Sequence, residues 1–134
     1  MNLNTLNLPW PLDPRLRHLI EQALTAAGVA TETGGILSFR DSDYTPESGG
    51  FHPVEIAVGP GGQIEYITDF AYVGSPPHCD LAKEIDFDFS LGLFQHFGPE
   101  YPIRRGGDLF AIWQENFLTY HAQGTYAVSV EPMS

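Results

Sequence analysis

The chain is poor in cysteine, in basic residues and in long apolar runs. Cys79 is its single cysteine, so no intrachain disulfide can form, and a lone thiol suits a reducing compartment. No lysine or arginine precedes Arg15, so the N-terminus lacks the positive region of a secretory signal. No apolar stretch approaches the length a membrane helix needs. A cytoplasmic location is the expectation. Only six Lys and Arg stand against seventeen acids, for a formal net charge of −11. Those six are scattered as Arg15, Arg17, Arg40, Lys83, Arg104 and Arg105, with no patch able to track a phosphate backbone. Nucleic acid and anionic lipid are therefore excluded as partners.

Hydrophobic residues, by contrast, make up 43% of the 134 residues and aromatics 13%. A chain of that length buries roughly two-thirds of its unfolded surface, enough for a core without staples. The expectation is a single domain over residues 1–134. Residues 1–12, with Pro9 and Pro11, read as an edge strand or an extended N-terminal arm. Asp13, Pro14 and Gly28 mark the cap, first turn and stop of a helix. Between them Leu16, Leu19, Ile20, Ala23, Leu24 and Ala27 form its apolar stripe.

Strand patterns follow at 35–40 and 53–58, then at 63–73 after the turn GPGG. Residues 74–83 read as a loop and 98–102 as a break. In EIDFDFSLGLF, 84–94, the residues Ile85, Phe87, Phe89, Leu91 and Leu93 alternate with Glu84, Asp86, Asp88, Ser90 and Gly92. One strand face then meets a core and the other water. A second helix begins after Gly106–Gly107 with Asp108 as its cap and stops at Gly124; residues 125–132 close as a strand. The order α-β-β-β-β-α-β has no crossover helix within the strand run. It predicts an α+β fold, a single curved and mainly antiparallel sheet of four to six strands with two helices on one face.

The stretch FRDSDYTPESGGFHPVEI, 39–56, gathers acids, a histidine and paired glycines. Counted from Asp41 as a calcium loop, position six is Pro46 and position twelve His52, where glycine and glutamate are needed. His52 and Glu55, three apart in a strand, point to opposite faces. His78, Cys79 and Asp80 are adjacent and seldom converge on one ion. No zinc spacing, phosphate loop or dinucleotide fingerprint is present. No nucleophile elbow surrounds Ser48. The sequence thus assigns no metal, no cofactor and no catalytic residues. RRGGDLF could hold an anion at a helix start, but a cap from Asp108 is the better reading. The row Glu84, Asp86, Asp88 reads as a solvated face. The eleven-residue link between strands reads first as a turn and second as a binding loop.

Four pieces, FRDSDYTPESGGFHPVEI, IEYITDFAYVG, EIDFDF and LFAIWQENFLTY, resemble the bacterial domain-of-unknown-function family 2787. The resemblance covers nearly the whole chain. It implies a compact α+β domain in a bacterial cytoplasm and no assigned reaction.

Three functional readings follow. The first is a non-enzymatic binding or protein-interaction module that self-associates, as a dimer, because Tyr44, Phe51, Tyr66, Tyr72, Phe94, Trp113 and Tyr120 exceed what a small core needs. The second is a small enzyme or small-molecule-binding domain with a polar cleft. Its candidate residues are Arg40, Asp41, Tyr44, His52, Glu55, Asp69 and Tyr72. The third is an acidic decoy for a basic partner protein, resting on net charge alone.

Overall fold

A computed structural model describes residues 2–75 and 77–133. Helix α1 spans Pro14–Ala26, and the Asp13 carboxylate accepts the N–H of Arg15 at its start as the sequence implies. Strands β1 (Gly35–Arg40), β2 (Val54–Val58), β3 (Ile64–Ser75), β4 (His78–Asp88), β5 (Leu93–His96) and β6 (Glu100–Pro102) follow. A 3-10 turn, Ile103–Gly106, leads into α2 (Gly107–Ala122), and β7 (Ala127–Pro132) ends the described chain.

All seven strands form one antiparallel sheet in the order β6-β5-β4-β3-β2-β1-β7. The α+β class and antiparallel pairing stand; the expected four to six strands do not, and the single strand expected at 84–94 is two. Asp88 explains the split. Its carboxylate accepts from Ser90 Oγ at 2.6 Å and from the Leu91 N–H at 2.9 Å, closing a turn before Gly92. Leu91, expected in the core, is therefore exposed. The expected loop at 74–83 is a hairpin instead, with Val73 opposite Asp80 and Gly74 opposite Cys79. This ribbon extends mainly by backbone pairing, and Tyr72, Val73 and Leu81 are exposed. Cys79 lies on a strand, and Pro76, assigned to that loop, lies outside the described residues. The expected break at 98–102 contains β6, which pairs with β5.

Cross-strand register puts Leu37, Ile56, Ile67, Phe87 and Phe94 in one row on the helix-bearing face. A second row runs Phe39, Val54, Asp69, Ile85. Leu16, Ile20 and Leu24 of α1 and Phe110, Trp113 and Phe117 of α2 cover these rows. Phe39 meets Phe117 edge-on at 5.0 Å, and Phe87 meets Phe110 at 5.1 Å. Burying side chains of this size contributes about 1.5–3 kcal/mol each. The N-terminal arm joins the same core: Leu3 is buried, and Trp10 packs on Phe87, Phe89 and Phe110. Helix α2 starts without a side-chain cap, because the 3-10 turn runs straight into it. Asp108 sits in its first turn rather than at the N-cap. Arg105 stacks on the Tyr101 ring, 5.1 Å away.

Candidate functional site

One side chain ties the two ends of the loop between β1 and β2 together. Asp41 accepts the N–H of Asp43 through Oδ1 at 3.0 Å and the N–H of Phe51 through Oδ2 at 3.0 Å. Asp41 is thus the loop's staple. Arg40 is exposed and makes no ion pair with Asp41, Asp43 or Glu55 among the described residues. The loop delivers His52 to the head of β2. There the His52 carbonyl accepts from the Tyr126 hydroxyl at 3.2 Å. Burial pushes the Tyr126 phenol well above its ordinary range, so it remains a donor.

His52 meets two carboxylates. Its Nδ1 lies 3.1 Å from Asp69 Oδ1 and 2.6 Å from Glu84 Oε2. Asp69 reaches the site from the helix face of β3, and Trp113 of α2 donates its indole N–H to Asp69 Oδ2 at 3.0 Å. Glu84 arrives by a different device. Asp69 pairs with Ile85 and Phe70 with Lys83, so the register skips Glu84 and leaves it as the extra residue of a β-bulge. A bulged residue escapes strict alternation and can be aimed anew. Here it faces the same cleft as Asp69. The hydrogen bond to Asp69 raises the His52 pKa above its ordinary value against the opposing effect of burial, and the Glu84 charge adds to the rise.

These three groups lie in a cleft of about 410 Å³ beneath α2, a typical volume for small-molecule sites. Its walls include Phe51, Leu109, Ile112, Trp113, Tyr120 and Tyr126. His52, Asp69, Glu84, Tyr120 and Tyr126 are its titratable lining groups, with no lysine or arginine among them. Tyr44 sits beside it, 5.4 Å from the His52 ring and 5.1 Å from Tyr72, and its hydroxyl accepts the Tyr72 N–H at 3.1 Å. Of the seven sequence candidates, His52 and Asp69 meet at the floor, Tyr44 and Tyr72 flank it, and Asp41 supports the loop. Glu55 turns to the opposite sheet face, where it accepts from the Tyr66 hydroxyl. Sequence reasoning passed over Glu84, Trp113, Asn116 and Tyr126. Glu84 was read within a solvated acidic row, and that row is not solvated throughout, since Asp86 is buried and Glu84 half-buried. A broader groove between α1, the end of α2 and β7 is larger, but it is mainly apolar and open and gathers no comparable polar cluster.

These features define an α+β domain with one antiparallel sheet, two helices on a single face and an acid–histidine cleft beneath the second helix. The chain belongs to the family described as "Protein of unknown function (DUF2787)", whose model matches residues 14–131. No curated protein matches it. It is similar to a hypothetical protein from the VSP-II pathogenicity island of Vibrio cholerae. The two are 33% identical with a TM-score of 0.80, over 97% of this chain and 99% of that one. It is also similar to a conserved hypothetical protein from pathogenicity island VPI-2 of Vibrio cholerae O1 biovar eltor. That pair is 36% identical with a TM-score of 0.79, over 90% of this chain and 95% of the other. The second neighbour is described as sharing structural homology with the human P32 protein. The family brings no reaction with it.

Proposed function

We propose that this chain is a binding module, not a catalyst, and that the cleft beneath α2 receives a positively charged group. The observation that carries this reading is the pair of carboxylates, Asp69 and Glu84, aimed at one imidazole nitrogen. A neutral imidazole has a single N–H and an imidazolium a single positive charge, so the three groups together retain net negative charge. Aromatic walls suit the same ligand, because ring faces attract cations and water is kept away. The lining holds no serine, threonine, cysteine or lysine to serve as an activated hydroxyl, thiol or amine nucleophile.

Two-dimensional ¹H–¹⁵N NMR with n-butylammonium, and n-butyrate as the oppositely charged control, tests it. Shifts of the Trp113 indole N–H with the cation alone are expected. Equal response to both probes, or to neither, removes the reading.

A second reading is self-association along the free edge of β7. Among the described residues that strand pairs only with β1 and leaves Val128 exposed, and an unpaired edge is a template for another strand. The aromatic surplus no longer supports it. Trp113 and Phe94 lie in the core, Phe51 packs on Tyr120 at 4.6 Å, and Tyr66 is bonded to Glu55. A strict monomer by light scattering at micromolar concentration ends this reading.

A further inference from the structure

We propose that His52 Nδ1, Asp69 Oδ1 and Glu84 Oε2 form a binding site for one divalent first-row transition-metal ion, of which Zn²⁺ is the probe of choice. This rests on the cation-binding reading of the cleft and names the cation.

The three donor atoms lie within 4.8 Å of one another. They come from three separate segments: the end of the β1–β2 loop, β3 and the bulge in β4. Local sequence therefore does not force them together; the bulge at Glu84 does.

Proton chemistry leaves this cluster incomplete. One Nδ1–H can serve one acceptor well, yet two carboxylate oxygens approach it. Asp69 receives the hydrogen bond with proper geometry. Glu84 Oε2 is buried, and the group that faces it, 2.6 Å away, is the same His52 Nδ1 that Asp69 engages, so it lacks a donor of its own. Two carboxylate oxygens that share a single N–H are incompletely satisfied in a site shielded from water. A dication meets all three atoms at once: the ring nitrogen offers a lone pair in place of its proton, and two carboxylates balance the charge.

The surroundings have the form that metal ligands require. Asp69 uses its second oxygen to accept from Trp113, which fixes the orientation of the ligating oxygen. Three protein donors beside a cleft leave the remaining coordination positions facing open space, where water or a ligand group can enter. The imidazole donor favours zinc-like ions over magnesium and calcium, which take oxygen almost exclusively.

Isothermal titration calorimetry of the chelator-treated full chain with ZnCl₂ tests the site, alongside Glu84→Gln and Asp69→Asn. One ion per chain is expected, with affinity lowered at least about ten-fold in each variant. The Co²⁺ complex should show a visible d–d band that Glu84→Gln loses, and Zn²⁺ should shift the Trp113 indole N–H in NMR. Thermal unfolding of the metal-free variants identifies any that fails to fold, and Glu84→Gln removes a charge without removing volume. Absence of saturable binding overturns the proposal. So does binding that both folded variants retain at full strength, since His18, His78, His96 or Cys79 would then be the ligands. If n-butylammonium perturbs the cleft and Zn²⁺ does not, the metal assignment fails while the cation-binding cleft stands. If neither does, both fail.

Discussion

The indole N–H of Trp113 donates to Asp69 Oδ2 over 3.0 Å, joining α2 to β3 at the floor of the cleft. A hydrogen bond to an ionised group contributes about 1.5–3 kcal/mol, and Asp69 is well shielded from water. Trp113→Phe keeps an aromatic ring but removes the donor. Urea unfolding should show a loss of about 2 kcal/mol. A double-mutant cycle with Asp69→Asn separates the bond from lost ring volume. Additivity within about 0.5 kcal/mol would show that the two side chains are not coupled.

Asp41 makes a more local prediction. Its carboxylate ties both ends of the 41–51 loop through backbone N–H groups. Asp41→Ala frees those donors to water, so global stability should fall by only about 1 kcal/mol. Hydrogen exchange should report the larger change, with the Asp43 and Phe51 amides losing protection while the β2 amides keep theirs. Unchanged exchange at Phe51 would mean that the loop is held by other contacts.

What the sequence disclosed follows from where signals are local. Helix α1 was legible because Asp13, Pro14 and Gly28 act through their own neighbours, and the row Ile85–Phe87 because alternation is a property of one strand. The β3–β4 ribbon was hidden by GSPPHCDLAK, whose glycine and proline mask a pairing that needs no burial. The candidate site was half legible. His52 and Asp69 were named from their types, but their partner Glu84 was assigned to the wrong face. Strict alternation places it opposite Ile85, and only the cross-strand register reveals that it is the extra residue of a bulge. Trp113 was counted among aromatics in excess of a core; it is buried in that core, and its N–H serves the site.

Gly28 and Gly34 share a φ of +72° but differ in surroundings. A Cβ at Gly28 meets nothing within 4 Å, whereas one at Gly34 collides with the Val58 carbonyl oxygen and the backbone of Gly59 and Pro60. Left-handed backbone costs a non-glycine residue about 1–2 kcal/mol. Gly28→Ala should lose about that much. Gly34→Ala should lose at least ~2 kcal/mol more, because strand backbone cannot yield as a side chain can. Equal losses in chemical denaturation would show that the turn shifts freely.

His121 sets a pH dependence. It lies in the last turn of α2 beside Phe39 and Phe117, and its Nδ1 is buried without a partner among the described residues. A helix C-terminus favours the cation, but burial prevails and lowers the pKa. The unfolded chain therefore binds this proton more readily than the folded one. Stability from neutral His121 is fully present above about pH 6.5 and is lost as pH falls through the depressed folded value. His52, shifted the other way, contributes the opposite slope. The clean measurement is the difference between wild type and His121→Gln across pH 7.5 to 5, with wild type losing more. Parallel curves would show no differential protonation.

Thr68 and Asp86 are the buried polar residues of the sheet, at 1% and 5% exposure. The Thr68 hydroxyl donates to Asp86 Oδ1 over 2.7 Å, while Lys83 reaches the other carboxylate oxygen only at 3.5 Å and is half exposed. The hydroxyl is thus the shorter and better shielded contact. Thr68→Val preserves shape but leaves a buried charged oxygen without its donor, a loss of about 2–3 kcal/mol. Thr68→Ser keeps the donor and gives up a methyl group, about 1 kcal/mol. Replacing both partners distinguishes the penalty of an orphaned charge from the value of the bond. Thr68→Val with Asp86→Leu should recover part of the stability that Thr68→Val alone loses, because no carboxylate then remains to be solvated. A double variant less stable than Thr68→Val would show that Asp86 contributes through Lys83 or its backbone surroundings, not through the hydroxyl.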